Sequence, residues 1–385
     1  MRFPEFKGEW HQFKLDDVAS RVTKKNKELE FKDVYTISAE FGLVNQEEFF
    51  DRKIAGENLS NYTIIEKGDF SYNKSTSNGY PWGAIKRMET NNNGLVSNLY
   101  ICFKPISEKV KSDFLQEYFE SSSWHKEIAN ISAEGARNHG LLNISTKDFF
   151  ETRHMFPAIV EQEKIATFLL KIDKRIAMQR KTIEDYKSAL NFFENNEVGK
   201  TGLTIKISEL LDEKNNKSTI EKQYDVLSST KKGIYKQSEY FNKDHFGAST
   251  VGYKIIELND VVLSPQNLWL GNISFNDKYE KGLVSPSYKV FRIKNGFDKV
   301  FIEHLLKSHK ALYEYKCCSE QGASVVRRNL DFDAFQEILF KIPAIDEQRR
   351  ISNRIKTFES KIRLEESRLN SLNQLKKFLL ANLFI

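Results

Sequence analysis

The stretch FPAIVEQEKIATFLLKIDKRI, residues 156–176, returns as IPAIDEQRRISNRIKTFESKI at residues 342–362. Pro157, Ala158, Ile159, Glu161, Gln162, Ile165 and Ile176 recur as Pro343, Ala344, Ile345, Glu347, Gln348, Ile351 and Ile362, each 186 positions further on. Working outward, YTIIEKGDF (62–70) matches YKIIELNDV (253–261) at an offset of 191, and GLVSNLYICF (94–103) matches GLVSPSYKVF (282–291) at 188. EGAR (134–137) matches QGAS (321–324) at 187. The blocks keep their order and the offset drifts slowly, so the chain is a duplicated unit of about 190 residues with small loop deletions in its second copy.

Each copy changes texture once. Its first part alternates short runs of β-favouring residues, such as NYTII, LYICF, DVVLS and YKVFRI, with clusters of Gly, Asn, Ser and Pro, the pattern of a mixed sheet with long polar loops. From Pro157, and again from Pro343, the pattern turns helical, and proline suits a first helical turn because its missing N–H would be unsatisfied there. In heptads the first helix places Leu169, Ile176, Ile183 and Leu190 at one seam position, with Ile165, Ile172, Gln179, Tyr186 and Phe193 at the other. The second places Ile355, Ile362, Leu369 and Lys376 against Ile351, Phe358, Glu365, Leu372 and Leu379. Each seam needs a partner, and the other copy offers one of equal length, so the two are expected to form an intramolecular antiparallel coiled coil. Gln179 and Glu365 interrupt the seams at their midpoints, and full antiparallel overlap would bring them together as a register device.

The 385 residues exceed one ordinary core, so two or more domains are expected. A hydrophobic content of 40%, 29% charged residues and no long apolar run exclude a membrane span. The N-terminal MRFPEFKGEW has no signal-peptide core, which points to a cytoplasmic protein, and three cysteines suit a reducing compartment. A net charge of +6 permits a polyanionic partner without demanding one.

The proline-led PAIVEQEKI and PAIDEQRRI helices, each behind a β-rich region with an EKGDF or ELNDV turn and a GLVSxxY strand, resemble the specificity subunit of type I restriction-modification systems. The resemblance runs from FKLDDVASRV (13–22) to LKKFLLANLF (375–384). It departs where Asn259 replaces Gly68, and where TIKISELLDEK only loosely repeats QFKLDDVASRV. It implies an α+β fold: two pseudo-symmetric mixed α/β target-recognition domains, residues 1–156 and 199–342, joined by spacer helices over 157–198 and 343–385 that form the antiparallel coiled coil. It also implies a DNA-binding chain that reads a bipartite double-stranded target, one domain per half-site. Its implied partners are methyltransferase subunits, two in number, which use S-adenosylmethionine, and ATP-driven restriction subunits.

The loops offer the side chains that read bases. Copy one presents Lys74, Ser75, Asn78, Tyr80, Trp82 and Arg87 in SYNKSTSNGYPWGAIKR, then Arg137, Asn138 and His139 in EGARNHG. Copy two presents Lys231 and Lys232, Gln266, Asn267, Trp269 and Asn272 in SPQNLWLGN, and Arg327 and Arg328 in GASVVRRN. Arg and Lys suit guanine edges, Asn and Gln suit adenine, and Ser and backbone N–H groups hold phosphates. Catalysis finds no comparable support. NEVGKT (196–201) lacks the first glycine of a phosphate-binding loop, so Gly199 reads as a helix terminator. No Gly-rich S-adenosylmethionine loop or Asn-Pro-Pro-aromatic motif occurs, and His125, His139 and His154 lack metal-ligand spacing. No catalytic residue, metal or cofactor is therefore expected of this chain. The alternative is a cytosolic coiled-coil scaffold that binds proteins only.

Overall fold

The structure is a computed structural model and describes residues 1–385 except 52–55, 57, 133–139, 231–232, 241–248, 325–326 and 385. Two compact units emerge: residues 1–180 with 367–385, and residues 181–366. Each holds one domain of mixed structure together with half of each long helix.

In unit 1 a four-stranded antiparallel sheet runs in the order Ala19–Arg21, Ile101–Pro105, Phe70–Asn73, Ala84–Arg87. Unit 2 repeats it as Leu211–Lys214, Lys289–Ile293, Asp260–Leu263, Ile273–Phe275. Cross-strand pairing puts Phe70 opposite Phe103, with rings stacked at 5.3 Å, and Val261 opposite Phe291. Both Phe70 and Phe103 are wholly buried, and truncating either to alanine would cost about 3–5 kcal/mol.

A second small sheet pairs Thr63–Ile65 with Gly94–Val96, and in unit 2 Lys254–Glu257 with Lys281–Val284. These are the two repeated sequence blocks brought side by side. Their shared glycines have a steric reason: a Cβ on Gly94 would collide with the Tyr35 ring, and one on Gly282 with the Leu227 side chain. The departure at Asn259 is absorbed just as simply. Gly68 has φ +90° and Asn259 φ +68°, and asparagine is the side chain that best tolerates this left-handed region after glycine.

The strand His11–Lys14 pairs with Arg153–Phe156, and Leu203–Lys206 with Leu339–Ile342. Chain arrival and departure therefore lie side by side in each domain, directly before Pro157 or Pro343. The long helices span Ile159–Glu197 and Ile345–Leu383. Each starts two residues after its proline: Glu161 and Gln162 donate to the Ala158 carbonyl, and Glu347 and Gln348 to that of Ala344. The prolines thus precede the first turn rather than occupy it. The first helix ends as its sequence indicates, with Gly199 at φ +70°.

Within each unit the helix halves run antiparallel. In unit 1 Lys376 grips both carboxylate oxygens of Asp173 at 2.6 Å. In unit 2 Lys361 lies over Tyr186, Phe193 packs on Phe358 with ring centroids 6.1 Å apart, and Arg350 reaches Glu197 at 3.3 Å. Later residues of one helix meet earlier residues of the other. Along the seam Ile165, Leu169, Ile176, Ile183, Ile351, Ile355, Ile362 and Leu379 are buried, while Ile172, Leu190, Leu369 and Leu372 are half-buried. No described helix is long and apolar enough to cross a membrane.

Candidate nucleic-acid interface

Three segments meet in unit 2. The loop after the strand Asp260–Leu263 folds back on itself, with the Ser264 amide donating to the Asn272 carbonyl at 3.0 Å around a 3-10 turn at Leu268–Leu270. The hairpin of Ser319–Ser324 and Arg327–Leu330 docks on it: the Arg328 amide donates to the Gln266 carbonyl at 3.0 Å, and the guanidinium lies 5.5 Å from the Trp269 ring centroid. Arg328 is held in that pose by donating from Nε and Nη2 to the Ser319 carbonyl at 3.2 and 2.7 Å. The third segment, the hairpin of Leu227–Thr230 and Gly233–Lys236, ties in through Ser229 Oγ donating to Asn272 Oδ1 at 3.0 Å and Ser274 Oγ donating to the Thr230 carbonyl at 2.6 Å. Gln266, Asn267, Trp269, Asn272, Arg327 and Arg328 are thereby gathered on one surface, with Gln266 and Arg327 exposed. Lys231 and Lys232 lie outside the described residues.

Unit 1 builds the same junction with different side chains. The Leu142 amide donates to the Lys74 carbonyl at 3.0 Å, a tie of the same kind as Arg328 to Gln266, and the Thr76 amide donates to the Gly140 carbonyl at 2.6 Å. Ser77 and Tyr80 exchange backbone hydrogen bonds at 2.9 and 3.2 Å, so the turn between them thrusts Asn78 into solvent. Tyr80 is half-buried, and burial raises its phenol above the ordinary tyrosine range, so at neutral pH it is a hydroxyl donor. Lys74 spends one donor on the Ile144 carbonyl at 3.1 Å, while Ser75 is exposed.

Two expected readers belong instead to the scaffold. Trp82 packs against the core, and its carbonyl accepts the Tyr72 hydroxyl at 2.8 Å. Arg87 is committed to Glu89 at 2.8 Å and Asp113 at 2.6 Å with little of its side chain exposed. Its ionic partners come from the next turn and from a helix 26 residues away, and only the first is near in sequence. Arg137, Asn138 and His139 lie outside the described residues. Among the described residues no group of three His, Cys, Asp or Glu could hold a metal ion.

The repeated glutamine of the opening motif has a role that its spacing did not reveal. Gln162 donates to the Pro157 carbonyl at 3.0 Å and accepts the Lys111 amide at 2.9 Å. Gln348 donates to the Pro343 carbonyl at 2.8 Å and accepts the Asp298 amide at 2.9 Å. Both side chains are buried, and both fasten the start of a long helix to the N-cap of the domain helix packed against it, Ser112–Glu120 or Lys299–Lys307. The motif is written twice because the same joint is built twice.

The protein-family model for the type I restriction modification DNA specificity domain matches residues 7–185 and again 199–374. The chain belongs to that family. Each of its two units carries one match to the DNA specificity domain. The fold agrees with solved structures. One, described as "Structural basis underlying complex assembly and conformational transition of the type I R-M system", superposes with a TM-score of 0.59 at 12% identity, covering 98% of this chain and 97% of that one. The S subunit of a type I restriction-modification system from M. genitalium superposes with a TM-score of 0.54 at 14% identity, covering 100% and 99%. No curated protein matches this chain. In this specificity-domain protein the converging loops of each unit carry different side chains on a similar backbone plan.

Proposed function

We propose that this chain is the non-catalytic, cytosolic sequence-reading subunit of a type I restriction-modification assembly, with each specificity domain reading one half of a bipartite double-stranded DNA target. The observation that carries this reading is a like backbone tie in each unit, Leu142 to Lys74 and Arg328 to Gln266, which holds differently spelled loops at neighbouring places on two like scaffolds. Two readers of different half-sites need that combination of constant frame and variable side chains. Lys74, Ser75, Asn78 and Tyr80 serve the first half-site, and Gln266, Asn267, Asn272, Arg327 and Arg328 the second, joined by the expected Arg137, Asn138, His139, Lys231 and Lys232. Trp82, Arg87 and Trp269 support the loops from behind.

The spacer helices dock the methyltransferase subunits. Met178 (71% exposed) and Phe192 (72%) stand 14 residues apart on the first helix, and Leu364 (51%) and Phe378 (56%) occupy the equivalent positions, 186 further on, in the second. Large apolar side chains kept in water at two heptads' spacing, off the buried seam, suit a partner helix, and a face present twice suits two copies of one partner. Restriction subunits join that assembly, and S-adenosylmethionine and ATP belong to the partners. Equilibrium binding to duplex DNA at a series of salt concentrations tests the reading: six or more phosphate contacts give a log–log slope of about −5 or steeper. A flat salt response would favour a protein-only scaffold.

A further inference from the structure

In each unit one nine-residue helix of the recognition domain, Ser112–Glu120 or Lys299–Lys307, seats that domain on the halves of the long helices. The two seat helices lie 187 positions apart at both ends, so Glu117 and His304 are equivalent residues. Glu117 is fully buried, its Oε2 3.5 Å from Lys376 Nζ, and Lys376 also binds both oxygens of Asp173 at 2.6 Å. His304 has Nδ1 2.5 Å from Glu194 Oε1 and Nε2 3.7 Å from Glu359 Oε1. Asp173 and Glu359 occupy the same position of the repeated helix, 186 residues apart, and stay acidic. The domain residue changes type, and the third member differs in place as well as sign, since Lys376 corresponds to Leu190 and Glu194 to Leu380. In unit 1 an acid sits on the domain, with a lysine and an aspartate on the two helices; in unit 2 an imidazole sits on the domain, with an acid on each helix.

We infer that these triads are address labels, Glu117 and His304 being the positioning residues that decide which recognition domain each helix pair accepts. Buried charges discriminate chiefly by the penalty of a wrong neighbour. Glu117 placed in the second seat would face Glu194 and Glu359, three carboxylates without a cation. His304 placed in the first seat would face Lys376 already neutralised by Asp173, a milder mismatch. Exchange of domains between seats is therefore asymmetric: the second domain is tolerated in the first seat better than the first domain in the second.

The test uses the full chain and no DNA, so it stands apart from the proposed function. His304→Glu sets three carboxylates together in the second seat, His304→Gln removes charge while keeping hydrogen-bonding capacity, and His304→Glu with Glu194→Lys places a lysine beside the new acid, one turn from Leu190, the position that corresponds to Lys376. His304→Glu is expected to lower the Tm of unit 2 by about 4 °C or more beyond His304→Gln. Adding Glu194→Lys is expected to recover at least half of that loss and to restore amide hydrogen-exchange protection over residues 299–307. If His304→Glu proves insoluble, a soluble double variant supports the inference. A His304→Glu chain no less stable than His304→Gln, or a double variant no better than the single, overturns it. A chain carrying residues 11–156 in place of 203–342 tests the address directly: soluble yield should rise when the transplanted Glu117 is changed to His, and equal yields would again overturn the idea.

Discussion

The Tyr118 hydroxyl lies 2.9 Å from Nδ1 of His154, and Thr152 Oγ1 holds the other ring nitrogen at 2.8 Å. The imidazole is 2% exposed and enclosed by Tyr118, Phe119 and Phe156, so its hydrogen bonds are satisfied without charge. Burial pushes its pKa down to about 4 from 6.5. A histidine depressed on folding contributes stability that is fully present above the unfolded pKa and is lost as pH falls toward the folded one. Between pH 7 and pH 4 this group should remove about 3 kcal/mol of stability. Denaturant unfolding of the wild type and of His154→Gln at both pH values checks it: the variant starts less stable but loses about 3 kcal/mol less on acidification.

Arg327 is exposed at the hairpin end, whereas Arg328 is fixed by the Ser319 carbonyl and Trp269. Arg327→Ala should weaken binding to the specific target by about 1–3 kcal/mol and spare random-sequence DNA, as should Arg137→Ala if each reads a base edge. Arg328→Ala should weaken both, because it also releases the loop. Competition binding separates the cases, and equal losses for Arg327→Ala on both DNAs would reassign it to a phosphate.

Glu365 is buried at the middle of the second seam, and Gln179 marks the middle of the first. Replacing both with leucine should raise the thermal stability of the helix pair while loosening its register, since nothing polar would then penalise slippage. Paired cysteines placed along the two helices report the register; one crosslinking pattern shared by wild type and double variant would count against the device.

Phe192 and Phe378 lie off the seam in water, so Phe192→Glu or Phe378→Glu should leave the thermal midpoint within the range of about 0.5 kcal/mol usual for surface changes. Each change alone should halve the methyltransferase subunits bound per chain, and both together should abolish binding, as measured by native mass spectrometry.

Four residues inserted into both long helices add about 6 Å and about 40° of rotation. The rise is that of about two base pairs, and the rotation falls short of their twist by about 30°. Seven residues preserve the heptad seam but add about 10 Å with almost no rotation, against roughly 100° for three base pairs. The four-residue insertion should be tolerated better and lengthen the gap between half-sites by about two base pairs. Methylation mapping reads the gap directly; an unchanged gap with retained modification would show that the helices do not set it.

The sequence by itself determined the duplication, the two helices and their seams, because all three rest on periodicity and identity along the chain: Ile165, Leu169, Ile176, Ile351, Ile355 and Ile362 are buried as the heptads require. It also located the loops that converge in each unit. Tertiary structure alone decided which loop residues remain available, since Arg87 is committed to Asp113 and Trp82 to the core by contacts that only folding creates. The same holds for the clamp of Gln162 on Lys111, 51 residues away, and for the opposed seats of Glu117 and His304. A periodic pattern records which face of a helix is dry, but the partner of a polar atom is fixed by distance in space, and that distance exists only after the chain has closed on itself.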